Sequence, residues 1–434
     1  MTTLAALRSG QLHGAQRLDL SCGLTAFPPE IYDLADTLEV LNLSGNQLTA
    51  LPDDFGRLRK LKIVFCSQNQ FDHLPEVLSQ CPQLAMVGFK ANHIKTVRDR
   101  ALPPALRWLI LTDNQIEQLP SSLGQCQRLQ KLMLAGNRLT ALPNLSACPL
   151  ELVRISANQM AALPDWLFQL PRLAWLAFAG NPCSPVSQQP DPGRSLPQAA
   201  WRDLQLGERL GEGASGTIFQ AVWQRGDDAE PVAVKLFKGQ VTSDGLPTSE
   251  MQACAAAGPQ GNLVTAIARV MGHPEGVPGL VLPLVPPDYV NLGHPPSLDS
   301  CTRDTYPEGT QFSPAQVMQI ARDIAAAAQH LHQGHILHGD LYGHNILVNL
   351  VGGGGHSLLG DFGAATCYGA AHPAAAKLER LEVRAFGYLL EELLQRCPKA
   401  ALTGELEPIQ QLKAQCLAET LAQRPDFAAI LERL

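Results

Sequence analysis

Leucine recurs at a fixed period through the first part of the chain, between residues 15 and 185. Each copy follows the pattern L-x-x-L-x-L-x-x-N-x-L-x-x-L, and its first leucine recurs every 21 to 23 residues, at Leu38, Leu61, Leu84, Leu106, Leu129, Leu150 and Leu173. Within each copy the second and third leucines alternate with other residues, which is typical of a short strand with one buried face. A unit of this length cannot bury its leucines alone, so the period predicts a stack of strand-and-turn repeats.

An asparagine occupies the same position in each copy, at Asn46, Asn69, Asn92, Asn114, Asn137, Asn158 and Asn181. At this position the amide turns into the stack, where a buried polar group without a partner costs about 1–3 kcal/mol. We therefore predict that each asparagine bonds to the backbone of neighbouring repeats. We interpret these asparagines and the repeated leucines as structural residues.

The array resembles the leucine-rich repeats, and this resemblance implies a curved solenoid whose strands line the concave side. The residues between the inward leucines are unusually apolar in two columns, namely Val40, Ile63, Met86, Trp108, Leu152 and Trp175, and Phe65, Ile110 and Met133. A solvated strand face would be polar, and large exposed apolar patches usually mark interaction sites. The columns favour a binding surface, for a protein partner or for the second half of the chain, over scattered apolar residues without a role.

The leucine period ends near residue 185. Residues 186–203 are rich in proline and polar side chains, which predicts a linker. Three glycines follow, at Gly211, Gly213 and Gly216, and β-branched and aromatic residues come directly after them. A dinucleotide-binding fold would place a helix there, so the pattern predicts two strands joined by a glycine turn. The next predicted strand, Val232–Phe237, includes Lys235, and the absence of G-K-[ST] excludes a P-loop.

Three later segments have helical patterns. Glu250 begins a run of small residues that stops at Gly258, and glycine is the commonest residue after a helix end. Ser313 and Gln316 form a capping box, which predicts the start of a long helix. A further apolar helical pattern begins near Glu382.

Two clusters of polar residues lie between these helices. The first is His338-Gly-Asp340-Leu-Tyr-Gly-His-Asn345, and the second is Asp361-Phe-Gly363. Apolar runs at 346–348 and 357–359 predict short strands that bring the two clusters to one edge. Phosphoryl transfer from a magnesium nucleotide uses a carboxylate for the incoming hydroxyl, and an amide and a second carboxylate for the metal. The clusters therefore predict a phosphotransferase site.

The order of these motifs resembles that of a protein kinase over residues 204–434, and the whole chain resembles a leucine-rich-repeat protein kinase. The resemblance implies an α/β leucine-rich-repeat solenoid, 1–185, then the linker, 186–203, and an α+β bilobal kinase domain, 204–434. It further implies that Asp340 accepts the proton of the substrate hydroxyl and that Asn345 and Asp361 bind Mg²⁺. His338 and Phe362 would pack in the core beneath.

The same resemblance assigns the ATP site. Lys235 would pair with Glu250 and hold the α- and β-phosphates. The glycine turn would close over the phosphates through Gly211, Gly213 and Gly216. The adenine would lie between Ile218, Ala233 and Leu347.

Four departures from the kinase pattern bear on activity. Gly339 replaces the arginine that precedes the catalytic aspartate, and the segment after Gly363 is short and lacks A-P-E. Because that arginine binds a phosphorylated activation loop, the two losses together predict an enzyme that loop phosphorylation does not switch on. Tyr342 replaces a lysine near the γ-phosphate, and the loss of this cation should lower the rate by about 10²–10³-fold. Glu382 replaces an aspartate.

Two more residues are affected by these departures. His344, if protonated, would restore part of the lost charge, and otherwise it is an ordinary hydrogen-bonding histidine. Arg424, in an R-P-D-F motif that resembles the tyrosine-kinase-like kinases, loses the glutamate of A-P-E as its partner. Since A-P-E belongs to the shelf for a peptide substrate, we expect the repeats to take over substrate docking.

Composition narrows the functional classes. A net charge of -7 argues against nucleic acid as a partner. We see no bilayer-spanning apolar run or signal peptide, and the eleven cysteines have no C-x-x-C pair, so we expect a cytoplasmic protein that does not bind membranes.

The leading interpretation is an ATP- and Mg²⁺-dependent serine/threonine kinase, and the alternative is a pseudokinase scaffold. The substrate, the oligomeric state and export to another cell stay open.

Overall fold

The computed structural model describes residues 3–184, 196–213, 215–238, 241–350, 355–402 and 404–434. The chain forms two compact units, Met1–Leu170 and Pro171–Leu434. The last repeat by sequence, which starts at Leu173, therefore belongs to the second unit.

The first unit is a stack of short parallel strands. A helix, α1 (Thr3–Arg8), precedes seven strands, β1 (Arg17–Asp19), β2 (Val40–Asn42), β3 (Ile63–Phe65), β4 (Met86–Gly88), β5 (Trp108–Ile110), β6 (Lys131–Met133) and β7 (Leu152–Arg154). Each strand pairs in parallel with the next in sequence order. Equivalent positions of successive repeats are paired, so that Leu41 lies opposite Val64 and Val64 lies opposite Val87. The predicted leucine-rich repeats are confirmed.

The asparagine ladder bonds to the backbone as predicted. Asn46 Nδ2 donates to the carbonyl oxygens of Leu20 and Leu43, each at 2.8 Å, and its Oδ1 accepts the N–H of Leu24 at 2.9 Å. Equivalent bonds form at Asn69, Asn92, Asn114, Asn137 and Asn158. The strands are too short to pair all the backbone N–H and C=O groups of the turns between them, and the asparagine amides supply the missing hydrogen-bond partners.

The predicted apolar columns are less exposed than expected. Five of their nine residues are buried, namely Ile63, Met86, Met133, Leu152 and Trp175. Val40, Phe65, Trp108 and Ile110 are half-buried. Parallel strands lie about 4.8 Å apart, so large side chains in one column cover their neighbours. The Trp108 indole, for example, contacts Met133 Sδ at 3.3 Å.

The second unit begins with β8 (Trp175–Ala177) and a six-stranded sheet. The sheet contains β9 (Gln198–Ala200), β10 (Leu204–Glu212), β11 (Gly216–Arg225), β12 (Asp228–Phe237), β13 (Ala268–Met271) and β14 (Gly279–Pro283), in the order β10-β11-β12-β14-β13-β9. Its neighbours are antiparallel except for β9 and β13. Helix α2 (Pro247–Ala257) follows β12 and ends at Gly258 with a φ of 65°, as predicted.

The rest of the second unit is mainly helical. Short strands β15 (Val290–Asn291), β17 (Ile346–Asn349) and β18 (His356–Leu359) form one sheet, and β16 (Ile336–Leu337) pairs with β19 (Thr366–Cys367). The helices are α3 (Pro314–Gln333), α4 (Ala375–Leu394), α5 (Lys399–Leu402), α6 (Glu407–Cys416) and α7 (Phe427–Leu431). The predicted capping box of Ser313 and Gln316 is present at the start of α3. Over the described ranges, no helix has the length and apolar character that a membrane crossing would require.

Two boundaries differ from the sequence pattern. Most of the predicted linker, at 186–195, lies outside the described residues, but Gln198–Ala200 near its end forms strand β9 and Trp201–Asp203 forms a 3-10 turn. Helix α4 begins at Ala375 rather than near Glu382. Its first turn is alanine-rich, and alanine has the highest helix propensity without adding to an apolar period.

Candidate active site

Lys235 and Glu250 form a buried ion pair. Lys235 lies near the end of β12, and Glu250 lies in the first turn of α2, where a negative charge is favoured. Their side chains are in direct contact, with 10% and 6% of their surface exposed. Burial lowers the pKa of the Lys235 ammonium, but the charges of Glu250 and Asp361 outweigh this effect and hold that pKa above its usual value. Lys235 is therefore a fixed cation beside two carboxylates.

The glycine turn joins β10 to β11. The N–H of Gly213 donates to the carbonyl oxygen of Gly216 at 2.9 Å, which closes the turn. A Cβ atom at Gly216 would collide with the carbonyl oxygen of Leu236, whereas Gly211 and Gly213 face open space. Position 216 therefore requires glycine for steric reasons, whereas a Cβ at position 211 or 213 would meet no neighbouring atom.

The three predicted adenine contacts lie on three strands. Ile218 on β11 is opposite Lys235 in the register, and Ala233 on β12 is buried. Leu347 on β17 lies between the buried Ile346 and Val348 and is itself half-buried. Because side chains alternate along a strand, Leu347 faces away from the core that its two neighbours enter.

The Asp340 segment connects β16 to β17. Asn345 Nδ2 donates to the Asp340 backbone oxygen at 2.9 Å and to Asp340 Oδ2 at 2.8 Å. Beneath, the buried His338 ring contacts the Gly360 carbonyl oxygen at 2.9 Å and lies 5.6 Å from the Phe362 ring. The structure therefore holds the two clusters together through His338 and fixes the Asp340 carboxylate through Asn345.

Asn345 and Asp361 present oxygens that suit Mg²⁺. Both N–H contacts of the Asn345 amide go to Asp340, which leaves its oxygen directed elsewhere. The exposed Asp361 carboxylate accepts the N–H of Gly363 at 3.1 Å through one oxygen. Mg²⁺ in nucleotide sites usually takes one or two side-chain oxygens and completes its shell with phosphates and water, so the two side chains supply oxygens of the type that the ion takes.

Glu382 holds the Asp340 segment from below. Its Oε1 accepts the N–H of Gly339 at 2.6 Å, and its Oε2 accepts from His332 Nε2 at 2.8 Å and from the N–H of His338 at 3.3 Å. Burial alone would raise the pKa of Glu382, but His332, His338 and the Gly339 N–H hold it below its usual value. Glutamate thus works where the kinase pattern has aspartate.

Gly339 is required by the local backbone. Its φ is 73°, in the left-handed region that glycine favours. A Cβ atom there would lie 2.7 Å from the carbonyl oxygens of both Ala364 and Leu176. The missing arginine is therefore excluded by sterics, because the backbone of the last repeat lies against this position.

The side chains of Tyr342 and His344 are held by contacts with other protein side chains. Tyr342 is buried, and its ring stacks on Trp175 with the centroids 4.2 Å apart and the planes 6° apart. His344 Nδ1 lies 2.7 Å from Asp304 Oδ1, and the His344 N–H donates to Asp304 Oδ2 at 2.9 Å. Burial lowers the pKa of His344, but the hydrogen bond to Asp304 and the charge of Asp340 outweigh it and raise that pKa.

Arg424 bonds to the backbone. Its guanidinium donates to the carbonyl oxygens of Ala418 at 2.9 Å, Arg380 at 3.1 Å and Glu419 at 3.3 Å. Burial and the nearby Arg384 charge lower the pKa of Arg424 to about 9. Backbone carbonyl oxygens of α4 and of the turn after α6 thus bind the arginine that the kinase pattern pairs with the glutamate of A-P-E.

Sequence reasoning missed three residues that contact this site. Asp304 fixes His344, Trp175 stacks on Tyr342, and Tyr388 of α4 lies 5.4 Å from the Trp175 ring. The repeat pattern places Trp175 in the concave column, and Asp304 lies in an irregular segment without any motif. The one signal in the sequence was an aromatic residue, Tyr342, at a position where the kinase pattern has a cation.

Comparison with known proteins gives matches for both halves. The model of the protein tyrosine and serine/threonine kinase family matches residues 204–384, and that of the leucine-rich repeat matches residues 37–58. The serine/threonine-protein kinase PITSLRE of Drosophila melanogaster is 26% identical over 230 residues, which is 52% of this chain and 22% of that protein.

Two further relatives match shorter regions. The probable inactive serine/threonine-protein kinase roco10 of Dictyostelium discoideum is 28% identical over 168 residues, 38% of this chain and 5% of that protein. The human PH domain leucine-rich repeat-containing protein phosphatase 1 is 33% identical over 90 residues, 20% of this chain and 5% of that protein. The chain thus spans less than a quarter of each of these proteins. With the stacked repeats and the site geometry, these matches identify the chain as one that combines leucine-rich repeats with a protein kinase domain.

Proposed function

We propose that the chain is an ATP- and Mg²⁺-dependent protein kinase directed to serine and threonine hydroxyls. The observation that most supports the proposal is the set of paired polar groups, Lys235 with Glu250 and Asp340 with Asn345, next to the Asp361 carboxylate. The first pair joins β12 to α2, and the second lies within the segment between β16 and β17. Such pairs hold reacting groups in place before substrate binds, which is the main source of catalysis in phosphoryl transfer.

Each group has a defined task in this proposal. Lys235 binds the α- and β-phosphates, and Glu250 keeps its ammonium in position. Asp340 orients the hydroxyl of the acceptor and takes its proton, while Asn345 fixes the Asp340 carboxylate. Asn345 and Asp361 supply oxygens for Mg²⁺, which neutralises phosphate charge when bound.

The test is phosphate transfer from labelled ATP with Mg²⁺ to a generic protein acceptor. We expect Lys235→Ala to lower kcat/KM for ATP about 10²-fold, because a buried cation on the phosphates is lost. The control is Lys413→Ala, which removes a half-buried lysine on α6 and should leave the rate unchanged. Equal rates for wild type and Lys235→Ala would refute the proposed role.

We further propose that the concave side of the repeats selects a protein partner or substrate. Trp108 is half-buried there, with Lys131 Nζ 4.0 Å from its ring centroid, and tryptophan is enriched in protein interfaces. Trp108→Ala is expected to lower kcat/KM for a protein acceptor about tenfold, because tryptophan is enriched among the few interface residues whose truncation costs more than about 1 kcal/mol. The KM for ATP should not change. Equal loss with a short peptide acceptor would contradict docking on the repeats.

A cytoplasmic location belongs to the same proposal. All eleven cysteines are free thiols, and free thiols are typical of proteins in reducing compartments.

A pseudokinase scaffold is the second candidate. The burial of Tyr342 against Trp175, in place of a lysine, favours it, and the relative roco10 is named as probably inactive. ATP binding with no transfer by the wild-type chain to itself or to any acceptor would support this candidate over the kinase.

A further inference from the structure

We propose that the last repeat, Leu173–Ser184, replaces a phosphorylated activation segment, and that Trp175 is a positioning residue for Asp340. The proposal rests on the proposed kinase function. It concerns contacts within the second unit alone, since that unit begins at Pro171.

Trp175 contacts the residues that follow Asp340. Its Nε1 donates to the carbonyl oxygen of Leu341 at 3.1 Å, and its ring stacks on Tyr342 at 4.2 Å. A second ring partner is Tyr388 of α4, with the centroids 5.4 Å apart and the planes 20° apart. Trp175 is 1% exposed. The indole therefore ties the backbone one residue after Asp340 to the rigid helix α4.

The last repeat also holds the residues after Gly363. The Phe178 N–H donates to Thr366 Oγ1 at 3.3 Å, and Ser184 Oγ donates to the Cys367 carbonyl oxygen at 2.9 Å. Strand β19, which contains these two acceptors, pairs with β16 just before the Asp340 segment. The same repeat thus contacts the segment itself, at Leu341 and Tyr342, and the strand β19 that pairs with β16 before it.

Gly339 completes the arrangement. Leu176 of the last repeat places its carbonyl oxygen where an arginine at position 339 would need its Cβ. In a phosphorylated kinase, an arginine at this place binds the phosphate and orders the segment. Here the ordering contacts come from Trp175, Phe178 and Ser184, and Glu382 holds the Gly339 N–H from the other side. Ordering by covalent modification is unnecessary in such a site.

The experiment uses the full chain with two changes at Trp175. Trp175→Phe keeps an aromatic ring on Tyr342 and loses the hydrogen bond to Leu341, and we expect kcat to fall about tenfold. Trp175→Ala loses both contacts, and we expect a fall of about 10²-fold, the usual effect of a misplaced reacting group. KM for ATP should stay within about twofold, because the Lys235 pair lies on other elements. The matched control is Trp201→Phe, which changes a half-buried tryptophan on the 3-10 turn before β10. We expect this variant to keep the wild-type kcat.

Rates are normalised to the number of ATP-binding sites, measured with a fluorescent ATP analogue, so that partial unfolding does not imitate the effect. If both Trp175 variants keep kcat per site within about twofold of wild type, the positioning role is overturned. If wild type transfers no phosphate, the kinase proposal fails separately, and hydrogen exchange then decides. Faster exchange at residues 336–345 in Trp175→Phe, with unchanged exchange in β10–β12, supports the ordering role, and unchanged exchange at 336–345 refutes it.

Discussion

Replacing Asp340 with asparagine is expected to lower kcat for phosphate transfer by about 10³-fold, within the range found for general-base residues. Asparagine keeps the shape of the side chain and still offers Asn345 an oxygen in place of Asp340 Oδ2. It cannot take the proton of the acceptor hydroxyl, and it removes a negative charge that orients this hydroxyl. ATP binding should be unchanged, because Lys235 and Glu250 are untouched.

The measurement is steady-state transfer from labelled ATP, together with ATP binding by calorimetry. Asp227→Asn in the exposed turn between β11 and β12 is the matched control, with no expected change. A decrease of less than about tenfold would be too small for a general base and would exclude this role for Asp340. Loss of ATP binding in the Asp340 variant would indicate misfolding, and would leave the role to be tested with Asp340→Glu.

Replacing Glu382 with glutamine is expected to destabilise the second unit by about 3 kcal/mol at pH 7. The carboxylate accepts three hydrogen bonds in a fully buried position, from Gly339, His332 and His338. Glutamine has one oxygen and one NH₂ group, so one of these donors would face another donor. The effect should appear in urea unfolding followed by hydrogen exchange of peptides from α3 and α4, which report the second unit alone.

The pH dependence of this difference has a definite sign. The pKa of Glu382 is lower in the folded state than its usual value, so the carboxylate stabilises the fold above the unfolded pKa of about 4.3. The stabilisation is lost as pH falls through the folded pKa. Wild type and Glu382→Gln should therefore differ fully at pH 7 and converge once the pH falls below the folded pKa of Glu382. Glu405→Gln, at an exposed position, is the control. A loss of less than about 0.5 kcal/mol at pH 7 is the size of an ordinary surface substitution and would contradict the structural role of Glu382.

The sequence predicted the parts of this molecule that depend on a local pattern. The ladder of Asn46 and its equivalents follows from a period that repeats the same environment, and the glycine turn, the Lys235 strand and the capping box of Ser313 are short-range signals. Each of these is specified within about one element, where propensity and periodicity are most informative.

The parts that were missed depend on contacts between distant segments. Trp175 and Leu341 are 166 residues apart, and the repeat pattern gives Trp175 the same place in its copy as Trp108. Nothing local distinguishes the half-buried Trp108 from a Trp175 that packs against the Asp340 segment. Gly339 was recognised as a missing arginine, but its positive φ and the Leu176 carbonyl oxygen beside it depend on the same distant packing.

The start of the second unit at Pro171 limits how such a chain can change by recombination. Repeats before this point form an array in which each copy pairs with the next in the same register, so duplication or deletion of a whole copy preserves the stack. A fusion that joined a foreign kinase directly after the leucine period, near residue 185, would keep Trp175 but lose Tyr342, the residue on which its ring stacks. Variation in repeat number is therefore expected upstream of Pro171, whereas the last repeat and the kinase domain must be inherited together.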